Sequence, residues 1–204
     1  MMRVGLTGGY ATGKSFVAAE LTRLGCHVIY ADALGHQTLE PDGEAYRPVV
    51  ERFGPKILDG SGCIDRKRLG ALVFSSPPLL AELSAIIHPA VFRLEEQLMA
   101  QFAEEDPDGI VVVEAAILIE TGRFRSYDRL ILTVCDEATQ IRRGTQRDGL
   151  TVEQVRARLK EQMLLSEKKR FADYIIETGG EPEQTLRQTR DVYRALTSIQ
   201  TKST

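Results

Sequence analysis

One stretch constrains this chain more than any other: Gly8-Gly9-Tyr10-Ala11-Thr12-Gly13-Lys14-Ser15, which fits the spacing G-x-x-x-x-G-K-[ST]. Arg3-Val4-Gly5-Leu6-Thr7 before it is short and apolar, as a buried strand is, and Val17, Leu21 and Leu24 after it recur at helical spacing. A strand that turns through glycines into a helix aims loop N–H groups and the positive end of the helix dipole at one small volume, which suits a phosphate. Gly8 and Gly13 are expected to take positive φ and let the backbone close on the anion. Lys14 supplies an ammonium for the β- and γ-phosphates of ATP, and the Ser15 hydroxyl is set to coordinate Mg²⁺. The candidate ATP-binding residues are therefore Gly9, Ala11, Thr12, Gly13, Lys14, Ser15 and Phe16.

Further along, five segments read as strands, beginning near Arg3, His27, Ile110, Leu130 and Asp173, and helical patterns separate them. That alternation predicts an α/β fold of the phosphate-loop NTPase type: a parallel five-stranded sheet with helices on both faces. The chain reads as one domain over 1–204, with a helical acceptor-binding insert over 35–108 and a lid over 140–170. Asp32 follows His27-Val28-Ile29-Tyr30-Ala31, at the strand end where open α/β sheets bind ligands; it also suits the N-cap of the next helix. Within the insert, Ser76-Pro77-Pro78 opens a helix that is expected to break or kink at His88-Pro89 before a second one resumes at Val91. Ile110-Val111-Val112-Val113 is a strand buried on both faces, and Glu114 at its end is placed to act on Mg²⁺. Glu120 reads equally as a site residue or a solvated acid. The run from Gln140 to Gly149 carries Arg142, Arg143 and Arg147, which is either a solvated helix face or a lid that brings arginines to a transferring phosphate. Thr151-Val152-Glu153-Gln154 fits a capping box, Glu181-Pro182 opens a last helix, and the polar end from Thr197 is expected to fray.

Net charge is -3, so no general attraction to nucleic acid or to an acidic membrane is implied, and anionic ligands must be held by local cations. Cys26, Cys63 and Cys135 lie far apart without metal-ligand spacing and read as thiols of a reducing cytoplasm. No apolar run reaches membrane-spanning length, and no secretion signal precedes the first strand. A guanine-reading Asn-Lys-x-Asp is excluded outright, because the chain contains no asparagine. A small-molecule kinase fits these features best, as a monomer or weak homo-oligomer; the alternatives are a kinase for a different small molecule or nucleotide, and a nucleotide-binding regulator without transfer activity.

Several further stretches make the chain resemble the dephospho-coenzyme A kinase family nearly end to end. They are Gly5-Leu6-Thr7-Gly8-Gly9, Val28-Ile29-Tyr30-Ala31-Asp32, Ile87-His88-Pro89, Ile117-Leu118-Ile119-Glu120-Thr121-Gly122, Gln146-Arg147-Asp148-Gly149 and Ala172-Asp173-Tyr174-Ile175-Ile176. The resemblance implies ATP-dependent phosphorylation of the ribose 3′-hydroxyl of dephospho-CoA, the last step of coenzyme A biosynthesis, with ATP, Mg²⁺ and dephospho-CoA as partners. It implies Asp32 and His88 at the acceptor, Lys14, Arg143 and Arg147 at the phosphates, and Ser15 with Glu114 on the metal side. The chain departs from the family at six positions. Ala11 and Thr12 replace the loop's Gly-Ser, and Ala11 fits without strain only at negative φ. Phe16 replaces a small Thr, Tyr30 an acid, Ala116 a proline, and Thr178 an asparagine near the adenine.

Overall fold

The β-branched run from Ile110 to Val113 is buried throughout, as a strand covered on both faces must be. It forms β3 (Ile110–Glu114) of a five-stranded parallel sheet with the order β2-β3-β1-β4-β5. The other strands are β1 (Met2–Gly8), β2 (His27–Tyr30), β4 (Arg129–Val134) and β5 (Tyr174–Glu177), each at a segment the sequence marks as strand. β1 is central, pairing Leu6 with Glu114 of β3 on one side and with Ile131 of β4 on the other. The computed structural model describes residues 1–200, Gln200 by its backbone alone.

Nine α-helices are described: α1 (Lys14–Arg23), α2 (Ala31–Gln37), α3 (Tyr46–Phe53), α4 (Arg66–Val73), α5 (Pro77–Glu105), α6 (Glu137–Asp148), α7 (Val152–Lys160), α8 (Leu165–Lys168) and α9 (Pro182–Gln200). Val17 and Leu21 of α1 and Val192 and Leu196 of α9 share one core with Val4, Leu6, Val112, Ile131 and Ile176 of the sheet. The α1 end is closed by Gly25 at φ 99, with the Gly25 and Cys26 N–H groups donating to Thr22 and Leu21 carbonyls; this is the paired capping that a left-handed glycine permits. The capping box at Thr151 and Gln154 forms as its sequence predicts.

The chain divides into two compact units. One holds Met1–Ile29 and the chain from Phe102 onward; the other is Tyr30–Gln101. The second unit is helical and has its own core, in which Val49, Phe53, Leu69, Val73, Leu83 and Ala90 are buried together.

Three expectations need correction. Of the break or kink expected at His88-Pro89, the break does not occur: α5 is helical throughout from Pro77 to Glu105, with Pro89 inside it. Leu83 and Ala90, on either side of the proline, are buried in the same core, and that packing outweighs the roughly 3 kcal/mol an interior proline costs a helix. Asp32 is not the N-cap of α2; Tyr30 holds that place with extended backbone and no side-chain bond, and Asp32 lies in the first turn. The chain does not fray at Thr197, since α9 continues to Gln200; residues 201–204 lie outside the described residues.

Candidate active site

The phosphate loop leaves β1 at Gly8 and enters α1 at Lys14, with Gly13 as the N-cap at φ 83. Gly8 does not take positive φ; it is needed for space, because a Cβ there would lie 2.3 Å from Thr133 Oγ1 and 2.5 Å from Thr12 Oγ1. Thr12 is buried, and its hydroxyl donates to the Gly9 carbonyl at 2.9 Å or pairs with Thr133 Oγ1 at 2.8 Å, so its side chain braces the loop from behind. Ala11 sits at φ 57 and is the one non-glycine at positive φ among the described residues, so the unstrained fit that negative φ would give is not realised. An L-residue held there costs about 1–2 kcal/mol. Lys14 donates from Nζ to the Gly9 carbonyl at 3.2 Å, folded over the loop, while Ser15 and Phe16 are exposed at the head of α1.

Around the loop stand residues from distant parts of the chain. Gln140 Nε2 donates to the Tyr10 carbonyl at 2.6 Å, and the Tyr10 N–H donates to Gln162 Oε1 at 2.7 Å. Arg143 reaches the Ala11 carbonyl with Nη1 at 3.4 Å and the Thr178 carbonyl with Nη2 at 2.5 Å. Thr178 Oγ1 accepts from Arg143 at 3.3 Å and donates to the Thr12 carbonyl at 2.6 Å. This buried threonine therefore faces the protein and ties Arg143 to the loop, whereas its counterpart in the family implied an adenine contact. Arg147 grips Asp148 with a bidentate pair, Nε to Oδ1 at 2.8 Å and Nη2 to Oδ2 at 2.9 Å. That grip, with the Tyr10 hydroxyl bonded to the same carboxylate, holds Asp148 down at about 2. The Arg147 guanidinium also lies 5.4 Å from the centre of the Tyr10 ring.

A cleft of about 280 Å³ opens here, lined by Gly9, Cys135, Gln140, Gln162, Met163 and Leu165. A second, of about 300 Å³, is lined by Cys135, Asp136, Ser166, Lys169 and Glu177. Both lie off the carboxyl ends of the strands, where β1 and β4 send their connections to opposite sides of the sheet; this is where open α/β sheets take ligands. Burial pushes the Cys135 thiol up, and it pushes Cys26 to about 12, so both remain protonated packing groups.

Glu114 is buried at the end of β3, beside Leu6 of β1. Its carboxylate and the exposed Ser15 hydroxyl are each hard oxygen donors of the kind Mg²⁺ takes. Among the described residues no three His, Cys, Asp or Glu side chains cluster as a metal cage. A site of one or two protein oxygens is what Mg²⁺ uses when phosphates and water complete its shell. Asp32 and His88 belong to the Tyr30–Gln101 unit. Asp32 is exposed; His88 stacks on Phe92 with ring centres 5.8 Å apart, and burial pushes its imidazole below the usual range.

Sequence reasoning passed over Tyr10, Thr133, Gln140, Gln162 and Lys168. Lys168 is fully buried, with Nζ 2.7 Å from Glu120 Oε1 and 3.1 Å from the Ala116 carbonyl. Glu120 is thus the partner of a buried ammonium and Ala116 serves through its carbonyl, which alanine offers as well as proline. One signal pointed at Tyr10: Gly144 is an isolated glycine inside a helix, and a Cβ on it would lie 2.7 Å from Tyr10 Cε1.

A family model for dephospho-CoA kinase matches residues 2–184. A dephospho-CoA kinase of Shouchella clausii is 40% identical over 190 residues, covering 93% of this chain and 96% of its own. One of Aquifex aeolicus is 37% identical over 197 residues, covering 97% and 98%. Among solved structures, a dephospho-CoA kinase from Campylobacter jejuni superposes with TM-score 0.71 at 26% identity, covering 96% of this chain and 97% of that one. A shikimate kinase from Acinetobacter baumannii, at TM-score 0.51 and 17% identity over 98% and 94%, shares the fold alone.

Proposed function

The chain belongs to the dephospho-CoA kinase family, and we propose that it transfers the γ-phosphoryl group of ATP to the ribose 3′-hydroxyl of dephospho-CoA. The observation that carries this reading is the phosphate loop itself: a parallel-sheet strand, a left-handed Gly13 and the head of α1, with Lys14 folded over it and Arg143 fixed to its Ala11 carbonyl. The loop N–H groups and the α1 dipole bind the phosphates, and the two clefts beside Cys135 receive the nucleoside. Phosphoryl transfer builds charge on the equatorial oxygens, so fixed cations that do not reorganise lower the barrier. Lys14 and Arg143 are such cations, and Arg147 joins them once phosphate oxygens compete with Asp148 for its fork. Ser15 and Glu114 would hold Mg²⁺, which when bound supplies charge neutralisation at the β- and γ-oxygens. Asp32 takes the proton of the attacking hydroxyl and orients its oxygen, and His88 is assigned to binding the acceptor. No helix among the described residues is long and apolar enough to cross a membrane.

The test is ATP consumption with dephospho-CoA beside nucleoside monophosphates, shikimate and gluconate as acceptors. Turnover restricted to dephospho-CoA is expected, with the product phosphorylated at the 3′ position by NMR. Faster turnover with any other acceptor would remove the assignment.

A further inference from the structure

We propose that Tyr10, at the tip of the phosphate loop, is a positioning residue that holds the arginines of α6 and α7 against the loop. Three independent contacts converge on its side chain. Arg147 at the end of α6 lies 5.4 Å from the ring centre, and Arg158 of α7 lies 5.3 Å from it. The hydroxyl donates to Asp148, the carboxylate that also grips Arg147 bidentately and lies 3.8 Å from Arg158. The ring reaches this position because α6 is thinned where it passes: a Cβ on Gly144 would lie 2.7 Å from Tyr10 Cε1, 2.9 Å from Val155 Cγ2 and 3.0 Å from the Tyr10 oxygen. The main chain of Tyr10 is fixed as well, by Gln140 from α6 and Gln162 from the segment after α7.

This arrangement has two consequences. The loop that receives the phosphates carries the helix pair that brings the arginines, so loop and arginines move as one body. Arg147 is also held without being used up. A cation over a ring face keeps its N–H edges available, and the tyrosine hydroxyl takes up part of the Asp148 acceptor capacity that would otherwise bind the guanidinium alone. A phosphate oxygen arriving beside the loop then has only to displace one carboxylate.

The experiment compares wild type with Tyr10→Leu, which removes ring and hydroxyl, and Tyr10→Phe, which keeps the ring. The first readout needs neither ligand nor turnover: trypsin cleavage after Arg156, Arg158 and Lys160, located by mass spectrometry. Two exposed cation–π contacts correspond to about a five- to thirtyfold change in an opening equilibrium, so Tyr10→Leu is expected to be cut faster by that factor and Tyr10→Phe by less. Unchanged cleavage in a folded Tyr10→Leu protein overturns the proposal; if that variant does not fold, unchanged cleavage in Tyr10→Phe does so.

The second readout rests on the kinase reading above. If Tyr10 acts through Arg147, Tyr10→Leu lowers kcat in the wild-type background and has little further effect beside Arg147→Ala. A purely structural role would instead give equal factors in both backgrounds, and that result also overturns it. Absence of dephospho-CoA turnover in the wild type counts against the kinase reading, and the cleavage comparison then decides Tyr10 by itself.

Discussion

Arg143 and Thr178 are joined at both ends of the guanidinium fork: Nη1 donates to the Thr178 hydroxyl at 3.3 Å and Nη2 to its carbonyl at 2.5 Å. The same hydroxyl donates to the Thr12 carbonyl, so an arginine on α6 is tied to the phosphate loop through the turn after β5. A lysine has no planar fork with which to repeat this. Arg143→Lys is expected to lower kcat by about 10- to 1,000-fold, below the full effect of removing a transition-state arginine. Thr178→Val should lower it less, and should add little to Arg143→Lys because both break one link. Steady-state rates on the two single variants and the double variant check this; independent factors would show that Thr178 does not act through Arg143.

Ala11 is the second test. At φ 57 it bears strain that glycine would not. Ala11→Gly relieves about 1–2 kcal/mol in the folded state and returns about 0.4–1 kcal/mol through the freer unfolded chain. A net gain of about 0.5–1 kcal/mol is expected, seen as a higher Tm, where an ordinary Ala→Gly change lowers it. A lower Tm would mean that the strain argument fails.

How much was legible in the sequence can be judged from these same residues. The strands were readable because a parallel sheet covered on both faces requires continuous apolar runs, such as Ile110 to Val113 and Leu130 to Val134. The phosphate loop was readable because its chemistry fixes its spacing. The course of α5 was not, because local proline chemistry was outweighed by burial of Leu83 and Ala90, which no window around Pro89 reveals. The sign of φ at Ala11 was not readable either, since the loop's hydrogen bonds hold it and not its own preference. The ties from Thr178 to Thr12 and from Gln162 to Tyr10 join positions more than a hundred residues apart, and only the assembled sheet brings them together.

Acid should loosen the packing of α9 on α1. Glu20 is buried, bonded through both oxygens to Arg23 and through Oε1 to Arg190 of α9. The Arg23 bonds first, and then Arg190, hold its carboxyl at about 2, below the ordinary 4.5. A carboxyl lowered on folding stabilises the protein above its unfolded value, and that contribution is lost as pH falls from about 4.5 toward 2. Asp148, also held at about 2, adds to the loss in the same direction. Tm measured against pH should therefore drop through this window, and Glu20→Gln should flatten the drop while lowering stability at neutral pH. An unchanged slope in the variant would show that Glu20 is not a source of the acid sensitivity.

The buried Lys168 gives an ordering that a surface ion pair would not. Its side chain is 0% exposed and that of Glu120 is 23% exposed, at 2.7 Å. Glu120→Ala leaves an ammonium inside the protein, which costs about 3–5 kcal/mol. Lys168→Met keeps the volume and leaves a carboxylate that water can reach, so its cost should be clearly smaller. Urea unfolding of both variants checks the order, and a larger loss for Lys168→Met would contradict the account.

Asp32 carries the most specific catalytic prediction. An acceptor hydroxyl is a weak nucleophile at neutral pH and must lose its proton as the phosphoryl group arrives; a positioned carboxylate can take it. Asp32 is exposed in the first turn of α2, directly after β2, and Tyr30 stands where the family has a companion acid. Because Tyr30 is the N-cap, Asp32 makes no capping contribution, and its effect on α2 is limited to the helix dipole, worth about 0.3–1 kcal/mol. Asp32→Asn keeps the shape and removes the basicity. It should therefore leave the fold and ATP affinity within a few-fold while lowering kcat by roughly 10²–10⁴, the range of a positioned general base. ATP affinity by calorimetry and dephospho-CoA turnover, measured on one preparation, separate the alternatives. Full turnover would end the base assignment, and lost ATP binding would move Asp32 to the metal side of the site.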